Sequence, residues 1–199
     1  MPGRNIIRED LAENYYHVYA RGVNKQHLFL DDADFSYFIS ILQRYLSPSD
    51  PGSYTPLGDV VQLMAFCLLS NHFHLLVFQV EPGSIGKLMQ RVLTSYSIYF
   101  NKKYQRSGPI LESRYRASRI SSEEYLLHIT RYIHLNPQHW QTYRYSSLPY
   151  YTAGKAVDWI TAQPILYLFA GTGEYLTFLE SYKETRELLK NLARELADQ

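Results

Sequence analysis

The sequence predicts an α+β fold of the ferredoxin-like type, in which a split βαβ arrangement forms an antiparallel sheet with helices packed on it. Segments with strand and helix patterns follow one another as strand, helix, strand, strand, helix, strand, helix. The two central strands are long apolar runs separated by a very short turn, which is typical of a hairpin. A chain of 199 residues with 46% hydrophobic residues can bury one substantial core. We therefore expect a main domain over residues 1–150 and a small helical C-terminal extension over residues 151–199.

The first two elements are a strand and a helix. Residues Tyr15 to Arg21 alternate and are rich in β-prone side chains, which predicts a strand, and Gly22 to Lys25 is typical of a turn. From Asp31 to Leu46 apolar residues recur every three or four positions, which predicts a helix with acidic residues at its start. The next stretch, Ser47 to Gly58, is rich in proline, glycine and serine and is predicted to be a loop.

The middle of the chain supplies the hairpin and a second helix. Val60 to Leu69 and Phe73 to Val80 are nearly continuous apolar runs, and we expect them to pair as strands around a turn near Leu69–Asn71. A break at Glu81–Ser84 is followed by helical spacing from Ile85 to Tyr104.

The last predicted elements of the main domain are a strand and a helix. Tyr115 to Ile120 is a short β-prone run. A helix is expected from about Ser122, where a serine precedes two glutamates, to Asn136, which stands before Pro137. In the extension, helical patterns cover Ala162 to Phe169 and Tyr175 to Leu196.

Composition excludes some classes of protein. No apolar stretch is long enough to span a membrane, and the N-terminus lacks the pattern of a signal peptide. The one cysteine, Cys67, lies in an apolar run and is expected to be a buried hydrophobic residue rather than a nucleophile. These features predict a cytoplasmic protein.

Charge is unevenly distributed although the formal net charge is only +1. Between Lys87 and Arg119 there are eight lysines and arginines against a single acid, Glu112, and tyrosines are interleaved with them. This pattern suits a polyanion, and unpaired bases can stack on such rings, although a solvated helix face has the same composition. The candidate DNA contacts are Arg114, Arg116 and Arg119, followed by Lys102, Lys103 and Arg21.

A histidine pair lies at the start of the second apolar strand. In a strand, His72 and His74 point to the same face roughly 6–7 Å apart, while Phe73 points to the other face and into a core. Two such imidazoles can converge on one divalent cation. Two polar residues on a solvent-facing surface would give the same pattern, so both interpretations stay open on these residues alone.

The last core helix carries His128, Tyr132 and Asn136 at intervals of four, which form one stripe along the helix. An asparagine oxygen could complete a metal site, and a phenol beside a metal-bound phosphate is a suitable nucleophile. Taken alone, Tyr132 fits a core tyrosine better and His128 a packing residue. His134 is predicted to lie across the helix from this stripe, and His17 either lines the sheet face near the site or is structural.

Together these segments resemble a known family. The strand HFHLLV from His72, followed by the segment YIHLNP from Tyr132, resembles the single-tyrosine HUH transposases of insertion sequences, and most closely the REP-associated tyrosine transposases. Further matching pieces are Tyr16–Val18 with Arg21–Gly22, Tyr96 through Lys102, and Ser107–Pro109 with Arg114–Arg116. The resemblance covers roughly residues 15–150.

The resemblance implies metal-dependent cleavage and rejoining of single-stranded or hairpin DNA by transesterification. It assigns His72, His74 and Asn136 as ligands of Mg²⁺ or Mn²⁺ and Tyr132 as the nucleophile that forms a 5′-phosphotyrosine intermediate. Insertion-sequence members often have glutamine where this chain has Asn136, which favours the REP-associated branch.

Two other functions remain as alternatives. The chain could be a non-catalytic module that binds single-stranded nucleic acid on the same fold. A metal-dependent hydrolase that activates water is disfavoured because no carboxylate stands close to the histidines in the sequence. The sequence leaves open the DNA target, whether the protein is a monomer or a homodimer, whether the tyrosine acts in cis or in trans, the role of residues 151–199 and whether the protein mobilises DNA in its host.

Overall fold

A computed structural model describes residues 10–47, 55–154 and 156–181. The elements of the main domain are β1 (Asn14–Arg21), α1 (Asp32–Leu46), β2 (Val61–Leu69), β3 (His72–Gln79), α2 (Ser84–Lys103), β4 (Arg116–Ile120) and α3 (Glu123–Leu135). Short helices follow in the extension: α4 (Leu148–Thr152), α5 (Gln163–Leu166) and α6 (Thr172–Glu180).

The four strands form one sheet in the order β2-β3-β1-β4. Every neighbouring pair is antiparallel. The connections β1-α1-β2 and β3-α2-β4 each carry the chain past a strand position, which is the split βαβ arrangement. The predicted ferredoxin-like fold is therefore confirmed.

Local sequence signals set the helix boundaries. The Asp31 carboxylate accepts a hydrogen bond from the backbone N–H of Asp34 at 3.0 Å and so caps α1. The Ser122 hydroxyl accepts one from the backbone N–H of Tyr125 at 3.2 Å and caps α3 in the same way. Helix α3 ends at Leu135, and Asn136 keeps helical dihedrals just before Pro137.

The two faces of the sheet differ in what covers them. Phe73 is fully buried, and its ring lies 5.1 Å from that of Phe38 on α1, whose ring contacts Tyr96 on α2. Helices α1 and α2 therefore cover the face to which Phe73 points. The opposite face, which carries His72 and His74, is crossed by α3.

The segment after α3, from Tyr145 to Thr161, covers the edge strand β2. Backbone N–H groups of Leu68, Ser147 and Thr161 donate across this edge to Tyr145, Phe66 and Leu63 respectively, at 2.8–2.9 Å. These bonds satisfy backbone groups that an open sheet edge would leave available for aggregation.

One predicted helix of the extension is wrong in length. Residues 162–169 contain only the single turn α5, after which the N–H groups of Leu168 and Phe169 bond three residues back instead of four. Gly171, whose φ of 145° favours glycine, separates this turn from α6. The other predicted helix, Tyr175–Leu196, corresponds to α6 up to Glu180, and its residues beyond 181 lie outside the described part of the chain.

The remaining predictions concern the loop and the membrane. Residues 48–54 of the predicted loop Ser47–Gly58 are outside the described ranges. Across the ranges that are described, no helix has the length and apolar character needed to cross a membrane. Cys67 is fully buried in β2, as its apolar neighbours predict.

Candidate active site

The histidine pair stands side by side on the sheet face that α3 crosses. The ring centroids of His72 and His74 are 5.0 Å apart, and the rings are nearly perpendicular. His74 is buried and His72 is half-buried, while Phe73 between them points into the core on the other face. The predicted alternation of side chains between the two faces of the sheet is therefore confirmed, and the two histidines do not lie on a solvent-exposed surface.

Helix α3 brings Tyr132 and Asn136 to the same place. The Tyr132 hydroxyl lies 3.4 Å from Nε2 of His74, and Asn136 follows one helical turn later on the same side of α3. His128 lies on the same helix stripe but pairs with Glu124 at 3.7 Å and does not line the cleft described below. The structure thus brings together His72, His74, Tyr132 and Asn136.

His72, His74 and Tyr132 line a cleft of about 220 Å³. Its walls come from β1, β3, β4, α3 and the segment before β4, and the lining side chains are His17, Tyr19, Ala20, Arg21, His72, His74, Glu112, Ser113, Arg116 and Tyr132. Tyr19, Glu112 and Ser113 are not among the site residues predicted from the sequence. Tyr19 could have been found from the period-two alternation of β1, whereas nothing in the sequence places the 112–113 segment beside the histidines.

His17 forms the floor of this cleft. It is fully buried on β1, and its Nε2 lies 2.9 Å from Nδ1 of His74. Its ring stacks on those of Tyr19 and His74, with centroids 5.1 Å apart in both cases. The undecided expectation for His17 is resolved in favour of a place at the site.

Burial keeps these imidazoles neutral. It lowers the pKa of His17 to about 3. The pKa of His72 falls to about 4, through burial and then through the positive charge of Arg21. His74 has its pKa depressed by burial and by its two neighbouring histidines. Neutral imidazole is the form that binds metal ions, so the cleft holds its histidines ready for a cation near neutral pH.

The environment of Tyr132 acts on its pKa in both directions. Burial raises the pKa of the phenol, while the hydrogen bond from Asn136 and the positive charge of Arg21 lower it. The Asn136 side chain and the Arg21 charge stabilise the phenolate more than the phenol, so they offset part of the cost of deprotonating a buried tyrosine.

The donor set fits a divalent cation. Asn71 donates from Nδ2 to the carbonyl oxygen of Lys25 at 3.3 Å, so its Oδ1 is the atom that lies 2.6 Å from Nδ1 of His72. Because an amide oxygen only accepts, His72 is protonated at Nδ1 and its Nε2 carries a free lone pair. Among the described residues, no group of three or more side chains from histidine, cysteine, aspartate or glutamate is arranged to hold a metal ion. The ligand set predicted from the sequence, two imidazole nitrogens and the Asn136 amide oxygen, suits Mn²⁺ and is acceptable to Mg²⁺.

Three of the predicted DNA contacts line the cleft or the groove beside it. Arg21 and Arg116 line the cleft itself. Arg114 lines a neighbouring groove between α2 and the segment before β4, which also contains Lys87. Lys102 is exposed at the end of α2.

The other two predicted contacts are placed elsewhere. Lys103 lies 2.7 Å from carboxylate oxygens of both Asp31 and Asp34, so it joins the end of α2 to the start of α1. Arg119 pairs in register with Tyr16, whose side chain points to the face covered by α1 and α2, so Arg119 points away from the cleft. We therefore leave Lys103 and Arg119 out of the candidate DNA surface.

Comparison with known proteins finds a family model and solved structures that are similar to this chain. Residues 58–136, from β2 through Asn136, match the family model described as IS200-like transposase. A solved structure of a REP-associated tyrosine transposase bound to a REP hairpin is 15% identical, with a TM-score of 0.55 over 77% of this chain and 89% of that chain. A transposase-like protein from Deinococcus radiodurans is 14% identical, with a TM-score of 0.42 over 63% of this chain and 92% of that chain.

No curated protein sequence matches this chain. The family match contains His72, His74, Tyr132 and Asn136, and the shared fold is the one described above. The resemblance predicted from the sequence is thereby confirmed: residues 58–136 match the model of IS200-like transposases, and the fold is similar to that of a REP-associated tyrosine transposase.

Proposed function

We propose that this protein cleaves and rejoins single-stranded or hairpin DNA by metal-dependent transesterification, with Tyr132 as the nucleophile. The observation that carries this proposal is the contact of the Tyr132 hydroxyl with Nε2 of His74 at 3.4 Å, inside a cleft that also holds His72. A nucleophile must stand beside the group that activates the phosphate, and this contact supplies that proximity.

The proposed reaction exchanges one phosphate ester for another. The phenolic oxygen of Tyr132 attacks the scissile phosphorus as it loses its proton, and the bond from phosphorus to the 3′-oxygen breaks. That oxygen takes up a proton and leaves as a free 3′-hydroxyl, while the 5′ end stays attached to Tyr132. A 3′-hydroxyl can later reverse the attack, so the strand can be rejoined without a nucleotide cofactor.

His72, His74 and Asn136 are the residues that would hold the divalent cation. When bound, such an ion polarises a phosphate oxygen and offsets the charge that develops in the transition state. The Asn136 amide would supply an oxygen ligand, which a hard divalent cation accepts beside two imidazoles.

Arg21 and Arg116 supply positive charge for the DNA backbone. Both line the cleft on strands β1 and β4, within reach of a phosphate that lies over the histidines. Contacts of this kind position a strand and give salt-dependent affinity rather than sequence choice. Since a similar fold has been solved with a REP hairpin, a hairpin with a single-stranded flank is the first substrate to test.

A water-activating hydrolase is favoured by one observation. Glu112 lines the cleft, so a carboxylate does stand near the histidines even though it lies about forty residues from them in the sequence. A carboxylate there could act as a general base for water. The two reactions differ in the fate of the 5′ phosphate, which is attached to protein in one and free in the other.

A covalent adduct assay separates these functions. End-labelled hairpin oligonucleotides are incubated with the protein and Mn²⁺ or Mg²⁺ and resolved on a denaturing protein gel. We expect a labelled band at the mass of the protein, lost in Tyr132→Phe and in His72→Ala. Tyr125→Phe, which removes a hydroxyl from the same helix outside the cleft, and His27→Ala on the surface serve as matched controls and should retain the band.

The alternatives give other results. Cleavage that persists in Tyr132→Phe without a protein-bound label would indicate hydrolysis by activated water. Tight binding of the oligonucleotides without cleavage in any form would indicate a non-catalytic nucleic-acid module. Either result would contradict the proposed reaction.

A further inference from the structure

His17 is a buried group that the proposed reaction does not use. It is fully buried, and its nearest polar contact is to His74, with Nε2 of one ring 2.9 Å from Nδ1 of the other. The rings are stacked with an interplanar angle of 19°. At this distance one of the two nitrogens carries a proton and donates a hydrogen bond, and the other accepts that bond with its lone pair.

The metal site and the contact of Tyr132 together indicate which nitrogen of His74 carries the proton. A cation can bind Nε2 of His74 only where this nitrogen carries a lone pair, as the proposed metal site requires. The Tyr132 hydroxyl, 3.4 Å away, can then donate a hydrogen bond to the same lone pair while no cation is bound. A neutral His74 with a lone pair on Nε2 has its proton on Nδ1, directed at Nε2 of His17.

The other histidine of the pair is held in the same way. Nδ1 of His72 donates to Oδ1 of Asn71 at 2.6 Å, which leaves Nε2 of His72 with its lone pair. Both imidazoles therefore have an acceptor behind Nδ1 and a lone pair on Nε2 in front, and at His74 a cation would take the place of the hydrogen bond from Tyr132. Metal-binding histidines are commonly fixed by such a second hydrogen bond, which sets the tautomer and the ring orientation.

We propose that His17 is a positioning residue. Its Nε2 accepts a hydrogen bond from the Nδ1–H group of His74, and this bond orients Nε2 of His74 toward the divalent cation. The proposal rests on the metal site of the proposed function. Nδ1 of His17 is buried and has no hydrogen-bond partner within the described residues, so the hydrogen-bonded chain ends at His17. A chain that ends inside the protein orients a ligand and does not deliver protons to solvent.

Mn²⁺ affinity in the absence of DNA tests this role without relying on activity. Free Mn²⁺ is measured by electron paramagnetic resonance during titration of the wild type, His17→Leu and His17→Gln. Loss of the acceptor in His17→Leu should weaken Mn²⁺ binding about 10- to 100-fold. His17→Gln places an amide oxygen near the position of Nε2 and should stay within about threefold of the wild type by the same reasoning. The surface variant His27→Leu is the matched control and should bind Mn²⁺ as the wild type does.

Equal Mn²⁺ affinity in folded His17→Leu and wild-type protein would overturn the proposal. If His17→Leu fails to fold by circular dichroism, the wild type still decides through long-range ¹H–¹⁵N spectra of its histidines. Protonation of His74 at Nδ1 is expected, and protonation at Nε2 would overturn the proposal. A wild type that binds no Mn²⁺ would also overturn it.

Failure of this inference and failure of the proposed function are distinguishable. A wild type that binds Mn²⁺ with the predicted dependence on His17 but forms no DNA adduct would leave the positioning role intact and reject the cleavage reaction. Adduct formation by a protein whose Mn²⁺ affinity does not change on substitution of His17 would support the cleavage reaction and reject the positioning role.

Discussion

Removal of one hydroxyl from Tyr175 should destabilise the protein measurably. The Tyr175 hydroxyl lies 2.5 Å from Nδ1 of His134 on α3, and Nε2 of the same ring lies 2.7 Å from Oγ of Ser147. Ser147 is in turn bonded to the backbone of Phe66 on β2. This buried network therefore joins the sheet, the helix that carries Tyr132 and the C-terminal extension.

The size of the effect follows from burial. Tyr175 and His134 are both fully buried, so Tyr175→Phe leaves a ring nitrogen without a partner and without access to water. Such a loss costs about 1–3 kcal/mol. For a protein of this length, that corresponds to a decrease in Tm of roughly 2–12 °C.

Urea unfolding followed by circular dichroism measures the change. Tyr167→Phe removes the same atom from a side chain that is 81% exposed, and its free energy of unfolding should stay within about 0.5 kcal/mol of the wild type. The double variant with His134→Leu should be less destabilised than the sum of the single variants, because Tyr175→Phe no longer leaves a ring nitrogen unpaired. A loss below about 0.5 kcal/mol in Tyr175→Phe would refute the network as a source of stability.

Further predictions concern charge and pH. Lys103→Met should lower the free energy of unfolding by about 1 kcal/mol, because Lys103 is paired with two aspartates. It should leave hairpin affinity unchanged. A marked loss of affinity would contradict the exclusion of Lys103 from the DNA surface. Arg116→Gln should weaken hairpin binding at every sequence and reduce the slope of log affinity against log salt by about 1, and an unchanged slope would argue against a phosphate contact. Stability should fall as the pH is lowered below the ordinary histidine pKa of 6.5, because unfolded His134 takes up a proton there while burial holds the pKa of folded His134 at about 3. His134→Leu should make the slope of stability against pH between 6 and 4 shallower by up to about 1.4 kcal/mol per pH unit, and an unchanged slope would contradict the role of this group.

The fold was predictable because local patterns agree with the tertiary structure. The central hairpin, the helix caps at Asp31 and Ser122 and the stop before Pro137 all follow from periodicity and capping chemistry that act over a few residues. The extension was less predictable. Its helices are short, and its geometry is set by hydrogen bonds to the edge of β2 that no local pattern encodes.

The candidate site was predictable to the extent that its residues share an element. His72 and His74 share a strand, and Tyr132 and Asn136 share a helix, so spacing places each pair on one face. The resemblance to a family was needed to join the two pairs. Glu112 comes from the segment before β4, and the burial of His17 depends on how α3 crosses the sheet, so neither could be assigned from the sequence alone.

Charge illustrates the same limit. A run of cations predicts a basic surface, but tertiary contacts decide which cations remain free. Lys103 forms ion pairs with Asp31 and Asp34 at the start of α1, about seventy residues earlier, and no local pattern around Lys102 and Lys103 indicates which of the two is paired.

The identity of the attacked residue tests the proposed chemistry most directly. After reaction with a hairpin oligonucleotide and Mn²⁺, the denatured adduct is digested with nuclease and protease, and the peptides are sequenced by mass spectrometry. A nucleotide remnant linked through its 5′ phosphate to Tyr132 is the predicted result. A remnant on any of the other tyrosines, or a cleaved oligonucleotide with no modified peptide, would contradict the assignment of Tyr132 as the nucleophile.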